Sequence, residues 1–525
     1  MRQAIILIIF LIGLIGATQA QSFIRSELST TLTTPWELTY GPDNYLWITE
    51  AGGVVSKVDP ANGNKTIVYT ASDYFNGDVS EKLALCHQPD IQKGTLGLAL
   101  HPQFLNPATA FIYFVHSYNS NTLTPSTKFK IRRLKWDHGT SQVVSDTTIV
   151  NDLPNGYDHI GGRLLAVRQG TNDYLIFSTG DNGISEVNAP TCYTPQINNP
   201  NNYVQDVNYK NGKIHRFNLD GSIPIDNPVS GNSMYTRGHR NPQGLAYNPS
   251  TGILYEIEHG DRTDDEINIL EKGKNYGWKN VRGYHADNNY PGESAFVSSY
   301  TLTPGINGDG LKEAFYSWCA TSQPTTSVYA DWCTVAPSDG IYYNSSGIPG
   351  WNNSILVVTL KNGLTTDMEM YKFQLSIDGM SLVPSTTLNP NPSKFFGADQ
   401  AQNGRLRDIA YSTDGKKIYL INNGGADRDK ISVYTLDPNP GFNELEILNQ
   451  ALRCYPNPVS EQLSIRCSYP IHEIKVVDLM GRSIYSSMRE FDSINTTGFG
   501  QGTYLLSVKL ENGGVLHKRF MVMSR

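Results

Sequence analysis

The sequence predicts an all-β chain, a six-bladed β-propeller followed by a small β-sandwich, and three observations carry that prediction. Gly at 47, Pro at 28 and Tyr at 30 among 525 residues outweigh the usual helix formers, a balance that favours short strands joined by turns. Six turn signals recur along the first four-fifths of the chain, each followed by an apolar strand. A Pro/Asn-rich stretch, Asp437-Pro438-Asn439-Pro440, then separates that series from a self-contained run of strands at the C-terminus.

The six units follow in order. Gly41-Pro42-Asp43-Asn44 precedes YLWITE, His101-Pro102-Gln103 precedes AFIYFVHS, and Gln169-Gly170-Thr171-Asn172 precedes DYLIFSTGD. Asn248-Pro249-Ser250-Thr251-Gly252 precedes ILYEIEHG, Pro349-Gly350-Trp351-Asn352-Asn353 precedes SILVVTLKNG, and Ser412-Thr413-Asp414-Gly415 precedes KKIYLINNGG. Each turn also has an apolar strand before it, as RLLAV before the third and GLAYNP before the fourth, so each unit contains a hairpin. Six like hairpins with long loops between them fit propeller blades. A single sandwich of this length does not explain the repetition.

The flanks set the compartment. Arg2 precedes an apolar run of 13 residues, Ala4 to Gly16, which ends in Ala17-Thr18-Gln19-Ala20-Gln21. This predicts a signal peptide over residues 1–20, removed on export and shorter than a membrane span. No other segment is long and apolar enough to span a membrane as a helix. The predicted domains are therefore a propeller over 21–436, a linker over 437–449 and the small β domain over 450–525. The six cysteines, Cys86, Cys192, Cys319, Cys333, Cys454 and Cys467, include no CxxC pair. In an oxidising compartment they read as disulfide-forming, with Cys319 and Cys333 as the firmest pair. Lys plus Arg at 42 against Asp plus Glu at 49 gives a net charge of −7 with no basic run, which argues against a nucleic-acid partner.

Hairpin geometry gives a functional expectation, because residues entering the first strand and leaving the second lie at the same end, opposite the turn. Entering the first strands are Gln92, Asp158-His159, Arg240-Asn241-Pro242-Gln243, Thr334 and Arg405-Leu406-Arg407; leaving the second are Asp181, His259-Gly260-Asp261 and Lys361. In a closed propeller these meet at one mouth. A histidine, carboxylates, several cations and amides around one pocket make a site for a multiply anionic ligand joined to acid–base chemistry.

The motifs DHIGGRL, STGDNG, GHRNPQGLA, HGDRTDDEIN, KNYGWKNV, WCTVAPSDG and GRLRDIA occur in that order. Carrying them, the region from about Leu32 to Leu436 resembles the soluble, pyrroloquinoline-quinone-dependent glucose/sorbosone dehydrogenases. The resemblance implies a six-bladed propeller with the quinone over the channel mouth beside a bound calcium, and an aldose oxidised at its anomeric carbon to the lactone. It implies that His159 is the general base, Asp181 its orienting carboxylate and Arg240 the donor to the quinone oxygen. It likewise makes Asn241, Gln243 and Thr334 cofactor contacts, and Lys361, Arg405 and Arg407 the cations for the cofactor carboxylates, with an internal ion pair between one of these arginines and the adjacent Asp408 as the lesser alternative. Gln92, Asp158, Tyr329 and Trp332 match positions that contact the sugar or flank the cofactor. The calcium falls to the backbone carbonyls of Gly260 and Asp261, with the Asp261 carboxylate as a further hard ligand. His259 stands where the family has a glutamine, either touching the cofactor or filling space. The run Asp264-Asp265-Glu266 reads as strand-end structure rather than a metal cage. The loop from Ile184 to Tyr209, which includes Glu186, and residues 285–318 depart from the family, so sugar preference does not transfer.

The C-terminal pattern, Cys454-Tyr455-Pro456-Asn457-Pro458 followed by LSIRC, IKVVDLMGRSIY, GTYLLSVKL and KRFMVMSR, resembles the type A sorting domain of the type IX secretion system. The resemblance implies passage through the periplasm, contact with the secretion machinery, and delivery to the cell surface or medium. Together these readings describe an exported quinoprotein that passes electrons to an unidentified acceptor. A glycan-binding propeller and a calcium-dependent lactonase are the alternatives. The first gives no reason for Lys361, Arg405 and Arg407 beside His159 and Asp181, and the second requires several carboxylates on one metal.

Overall fold

The computed structural model describes residues 21–76, 94–121, 127–155, 159–182, 203–322, 331–361, 368–387, 389–422, 428–437, 452–511 and 515–523. The predicted signal peptide, all of the predicted linker after Asp437, Gln92, Asp158, Tyr329, Glu186, Cys86 and Cys192 lie outside these residues. The chain divides into two compact units, Ile24–Thr435 and a second that contains Leu436–Arg525.

Among the described residues the first unit holds six four-stranded antiparallel sheets. Their first strands are Pro35–Tyr40, Thr95–Leu100, Leu164–Gln169, Pro242–Tyr247, Pro337–Tyr343 and Leu406–Tyr411, and each runs through its turn into the second strand of the same sheet. All six predicted hairpins are present in this form. Each first strand packs against the first strand of the next sheet, and that of the sixth against that of the first. The sheets are therefore the blades of a closed propeller, numbered one to six here. Blade six takes its outermost strand, Phe23–Glu27, from the start of the chain and so joins the two ends of the ring.

The second strands show why the sequence reads as it does. Leu46–Glu50, Leu254–Glu258 and Ser354–Thr359 are buried at every position, because a blade has a neighbour on both faces and needs no solvent-facing register. The core lies between blades. Tyr255, Ile257 and Ile267 of blade four pack on Ile355, Val357, Tyr371 and Phe373 of blade five, and Leu96, Tyr113 and Val115 of blade two on Leu164, Leu175 and Phe177 of blade three.

The propeller axis is closed by charge rather than by apolar side chains. Arg163, buried just before the first strand of blade three, donates to Glu37 of blade one at 2.7 Å and to Asp408 of blade six at 2.7 Å. It lies 3.1 Å from Asp339 of blade five and also donates to the carbonyls of Gln243 and Ser338. Burial pushes the Glu37 carboxyl up to about 8 and that of Asp339 well above its usual range, despite the adjacent guanidinium. Five of the six blades thus meet on one side chain. The internal ion pair considered for Asp408 exists, and its partner is Arg163 rather than Arg405 or Arg407.

Cys319 and Cys333 form the expected disulfide. Cys454 and Cys467 do not follow the general reading of the cysteines as paired: both are free and partly buried. They lie on adjacent strands but out of register, Cys454 opposite Ile465 and Cys467 opposite Leu452. In the second unit a three-stranded sheet and a four-stranded sheet enclose one cluster that includes Leu463, Ile474, Leu506 and Phe520. This is the predicted small sandwich. No helix among the described residues is long and apolar enough to cross a membrane.

Candidate active site

The site is built where blades three and four meet. His159 lies in the segment that enters blade three, ahead of its first strand at Leu164, and its φ of 50° lies in the left-handed region. Asp181 follows the second strand of the same blade. Their backbones are locked together: Asn182 N–H donates to the His159 carbonyl at 3.1 Å and Asp181 N–H to the Arg240 carbonyl at 2.8 Å. Between them Gly180 has no room for a side chain, because a Cβ would run into both of those carbonyls.

This backbone arrangement puts the Asp181 carboxylate against the imidazole. His159 Nδ1 and Asp181 Oδ1 are 2.9 Å apart, with the aspartate side chain fully buried and the histidine 8% exposed. The other carboxylate oxygen accepts the Trp278 indole N–H at 2.8 Å. A buried carboxylate held by two donors fixes the ring orientation and the tautomer of the histidine, and stabilises the imidazolium once a proton arrives.

Arg240 and Asn241 come from the segment entering blade four, anchored from below by Glu258, whose Oε2 accepts the Arg240 N–H at 2.8 Å and the Asn241 N–H at 3.3 Å. The Arg240 guanidinium lies over the Trp278 ring, 5.5 Å from its centre, and donates to the His259 carbonyl at 3.3 Å. Asn241 Oδ1 accepts the Gln243 amide at 2.9 Å, and Gln243 Oε1 accepts Arg407 Nη1 at 3.0 Å. The predicted amides and one predicted cation therefore form a continuous chain across the mouth. Burial, with Arg163 and Arg405 close by, lowers the Arg407 guanidinium to about 10. His259 is held neutral: burial first, then the surrounding charges of Arg240, His159, Arg407 and Arg405, push its pKa far below the usual range. Hydrogen bonds join Arg240 to His259, Asn241 through Gln243 to Arg407, and Asp181 to the Arg240 carbonyl, so these residues from separate segments do meet.

The blade-five side is arranged differently. Lys361 is fully buried and its ammonium donates to the Trp332 carbonyl. The half-buried Trp332 indole carries the Arg262 guanidinium 5.1 Å from its centre. The Thr334 hydroxyl donates to Asp265, whose carboxylate also accepts the N–H groups of Gly260, Val335 and Ala336. Asp265 is thus the clasp between the Gly260 loop and the Thr334 loop, which agrees with reading Asp264-Asp265-Glu266 as strand-end structure. The Asp261 carboxylate is held by Arg282 at 2.8 Å and lies 3.9 Å from Arg240.

Trp278 and the anchoring carboxylate of Glu258 were given no role from the sequence. Trp278 stands in KNYGWKNV and Glu258 directly precedes HGDRTDDEIN, so the motifs marked the segments while the contacts remained invisible. No spacing rule links position 278 to position 181.

Comparison with known proteins agrees with this architecture. Residues 32–430 match the glucose/sorbosone dehydrogenase family model, and residues 453–523 match that of a secretion system C-terminal sorting domain. The sorting domain marks the chain for export to the cell surface or beyond. The quinoprotein glucose dehydrogenase B of Acinetobacter calcoaceticus is 30% identical over 466 residues, covering 81% of this chain and 90% of that protein. The aldose sugar dehydrogenase YliI of Escherichia coli K12 is 28% identical over 415 residues, 77% and 91% of the two chains. In fold, the apo-form aldose sugar dehydrogenase of E. coli superposes with a TM-score of 0.55 at 24% identity, over 79% of this chain and all of that one. The PQQ-bound aldose sugar dehydrogenase of Streptomyces coelicolor gives 0.53 at 21% identity, over 80% of this chain and all of that one. With the motifs, the propeller and the match over residues 32–430 in agreement, the chain belongs to the glucose/sorbosone dehydrogenase family.

Proposed function

We propose that the protein oxidises an aldose at its anomeric carbon to the lactone, with pyrroloquinoline quinone as the cofactor, and passes the electrons to an external acceptor. The observation that carries this reading is the buried His159–Asp181 pair beside Arg240 at a mouth lined with cations. A lactonase would need several carboxylates on one metal there, and the mouth gathers arginines instead.

The donor set fits the cofactor. Arg240, Arg405, Arg407 and the buried Lys361 match a planar ligand with several carboxylates, and the buried His259 Nε2 has no hydrogen-bond partner among the described residues, which suits a ligand contact. Asn241 and Gln243 would hold the cofactor's polar edge. When bound, the quinone supplies the group that accepts a hydride. A calcium beside it would draw on the carbonyls of Gly260 and Asp261. The Asp261 carboxylate is already paired with Arg282, so its side chain is not needed as a ligand.

The chain's own residues then have defined tasks. Asp181 holds His159 Nδ1, so Nε2 takes the proton of the anomeric hydroxyl as the adjacent C–H bond gives up its hydrogen with both electrons. The resulting imidazolium is stabilised by Asp181, and Arg240 would donate to the quinone oxygen and stabilise negative charge there. Gln92, Asp158, Tyr329 and Trp332 would meet the sugar, an aromatic face beside polar edges. The signal peptide would carry the chain to the periplasm and the C-terminal domain to the type IX machinery.

The test is reconstitution of purified apo-protein with the quinone and calcium, followed by a dye-linked assay across aldoses. Sugar-dependent reduction that requires the quinone, and that nicotinamide cofactors do not support, is the expected result. Absence of oxidation with every aldose after confirmed quinone binding would remove the proposal.

A further inference from the structure

Inside blade four, below the segment that carries Arg240, lies a cluster that sugar oxidation does not use. Glu256 and Glu258 point to the same side of the second strand, two residues apart. Asn268 stands opposite Glu256 and Glu266 opposite Glu258 on the third strand. His239 comes from the loop entering the blade. His239, Glu256 and Asn268 have no solvent exposure, and Glu258 has 4%.

The hydrogen bonds in this cluster do not close. Asn268 Nδ2 lies 3.0 Å from Glu256 Oε2, 3.3 Å from Glu258 Oε1 and 3.0 Å from Glu266 Oε2. An amide has two N–H hydrogens, so three carboxylates compete for two donors. Glu256 Oε1 and Asn268 Oδ1 are buried with no hydrogen-bond partner among the described residues. His239 Nδ1 approaches Glu258 Oε1 at 3.4 Å and Glu256 Oε2 at 3.7 Å, while its Nε2 is engaged by the Thr236 hydroxyl at 2.8 Å. The ring stacks on Tyr276, which fixes its plane. Of the nearby arginines, Arg240 meets Glu258 through its backbone N–H with its guanidinium charge close by, and Arg282 donates to Asp261.

We propose that His239, Glu256 and Glu258 form a buried site for a divalent first-row cation of the zinc or manganese kind. One donor atom from each of the three lies within 4.8 Å of the other two. The spacings of 3.4 and 3.7 Å are close to the ligand–ligand edge of about 3.3–3.6 Å that zinc–ligand distances of about 2.0–2.2 Å produce in tetrahedral geometry. One imidazole nitrogen with carboxylate oxygens is a borderline donor set, unlike the all-oxygen carbonyl set at Gly260 and Asp261 that suits calcium. The cation brings positive charge to three buried carboxylates and offers a partner to Glu256 Oε1 and, after rotation of the amide, to Asn268 Oδ1. It braces the blade-four entry as well, since Glu258 also holds the N–H groups of Arg240 and Asn241.

The experiment uses the full chain, stripped with dipicolinate and then given zinc in the presence of excess calcium as competitor. Bound zinc is measured by mass spectrometry of the metal, and the thermal midpoint is followed. One zinc per chain that calcium does not displace, with a raised midpoint, is the expected result for the parent. In Glu256→Gln and His239→Gln, zinc affinity should fall at least 100-fold with loss of the midpoint shift. Retention of one zinc in both variants, or less than a tenth of a zinc per parent chain, overturns the proposal. Should the variants fail to fold, anomalous diffraction at the zinc edge from parent crystals decides: a peak among His239, Glu256 and Glu258 supports the site, and a peak elsewhere or none contradicts it.

Discussion

Trp278 donates its indole N–H to one oxygen of Asp181 at 2.8 Å while the other oxygen faces His159 Nδ1 at 2.9 Å. The carboxylate that orients the proposed base is thus itself held from blade four. Trp278→Phe keeps the ring beneath Arg240 and removes one hydrogen bond, worth about 1.5–3 kcal/mol when the acceptor is charged. Turnover should fall about tenfold at unchanged KM. An unchanged turnover would assign Trp278 a packing role only.

Arg407 connects to the site through Gln243 at 3.0 Å, and Arg405 lies close enough to raise the cost of its charge. Arg405→Ala and Arg407→Ala should each weaken quinone binding by about 1.5–3 kcal/mol, roughly 10-fold to 150-fold. Titration of apo-protein with quinone, read by recovered activity, checks this. Curves that superpose on the parent would exclude both arginines from the cradle.

Buried histidines set an acid limit on propeller stability. Burial lowers His215 to about 3 and His116 to about 4, against about 6.5 in an unfolded chain. Between those values the unfolded state binds protons that the folded state does not. Stability from this source is complete above about pH 6.5 and is lost as pH falls toward 3, by about 1.4 kcal/mol per pH unit for each histidine. His215→Gln should flatten the slope of the thermal midpoint between pH 6 and 4, whatever it does to the midpoint itself. An unchanged slope would show that the ring does not stay neutral.

The propeller was largely legible because each blade's first hairpin is local and its turn residues are distinctive. Closure was not. The outer strand of blade six, Phe23–Glu27, pairs with a strand some four hundred residues later, and nothing in FIRSE announces a partner. His159 and Asp181 were legible because one precedes the first strand and the other follows the second strand of one hairpin, and the chain reversal puts both at the end opposite the turn. The plug at Arg163 was hidden for the opposite reason: its partners Glu37 and Asp408 are 126 and 245 residues away. Charged residues scattered at strand starts look solvated until the ring closes on them.

A chain truncated after Asp437 should retain sugar oxidation, since the propeller has its own core and closes on its own N-terminal strand. In the host the truncated enzyme should accumulate in the periplasm. Parent-level activity in the medium would contradict the sorting role of the C-terminal domain.

The most direct measurement is the stopped-flow rate at which an aldose reduces the bound cofactor, in the parent and in His159→Gln loaded to the same occupancy. A drop of about 10²-fold to 10⁴-fold, with the cofactor still bound, is the expected result for a positioned general base. Equal rates would contradict the assignment of proton removal to His159 and Asp181.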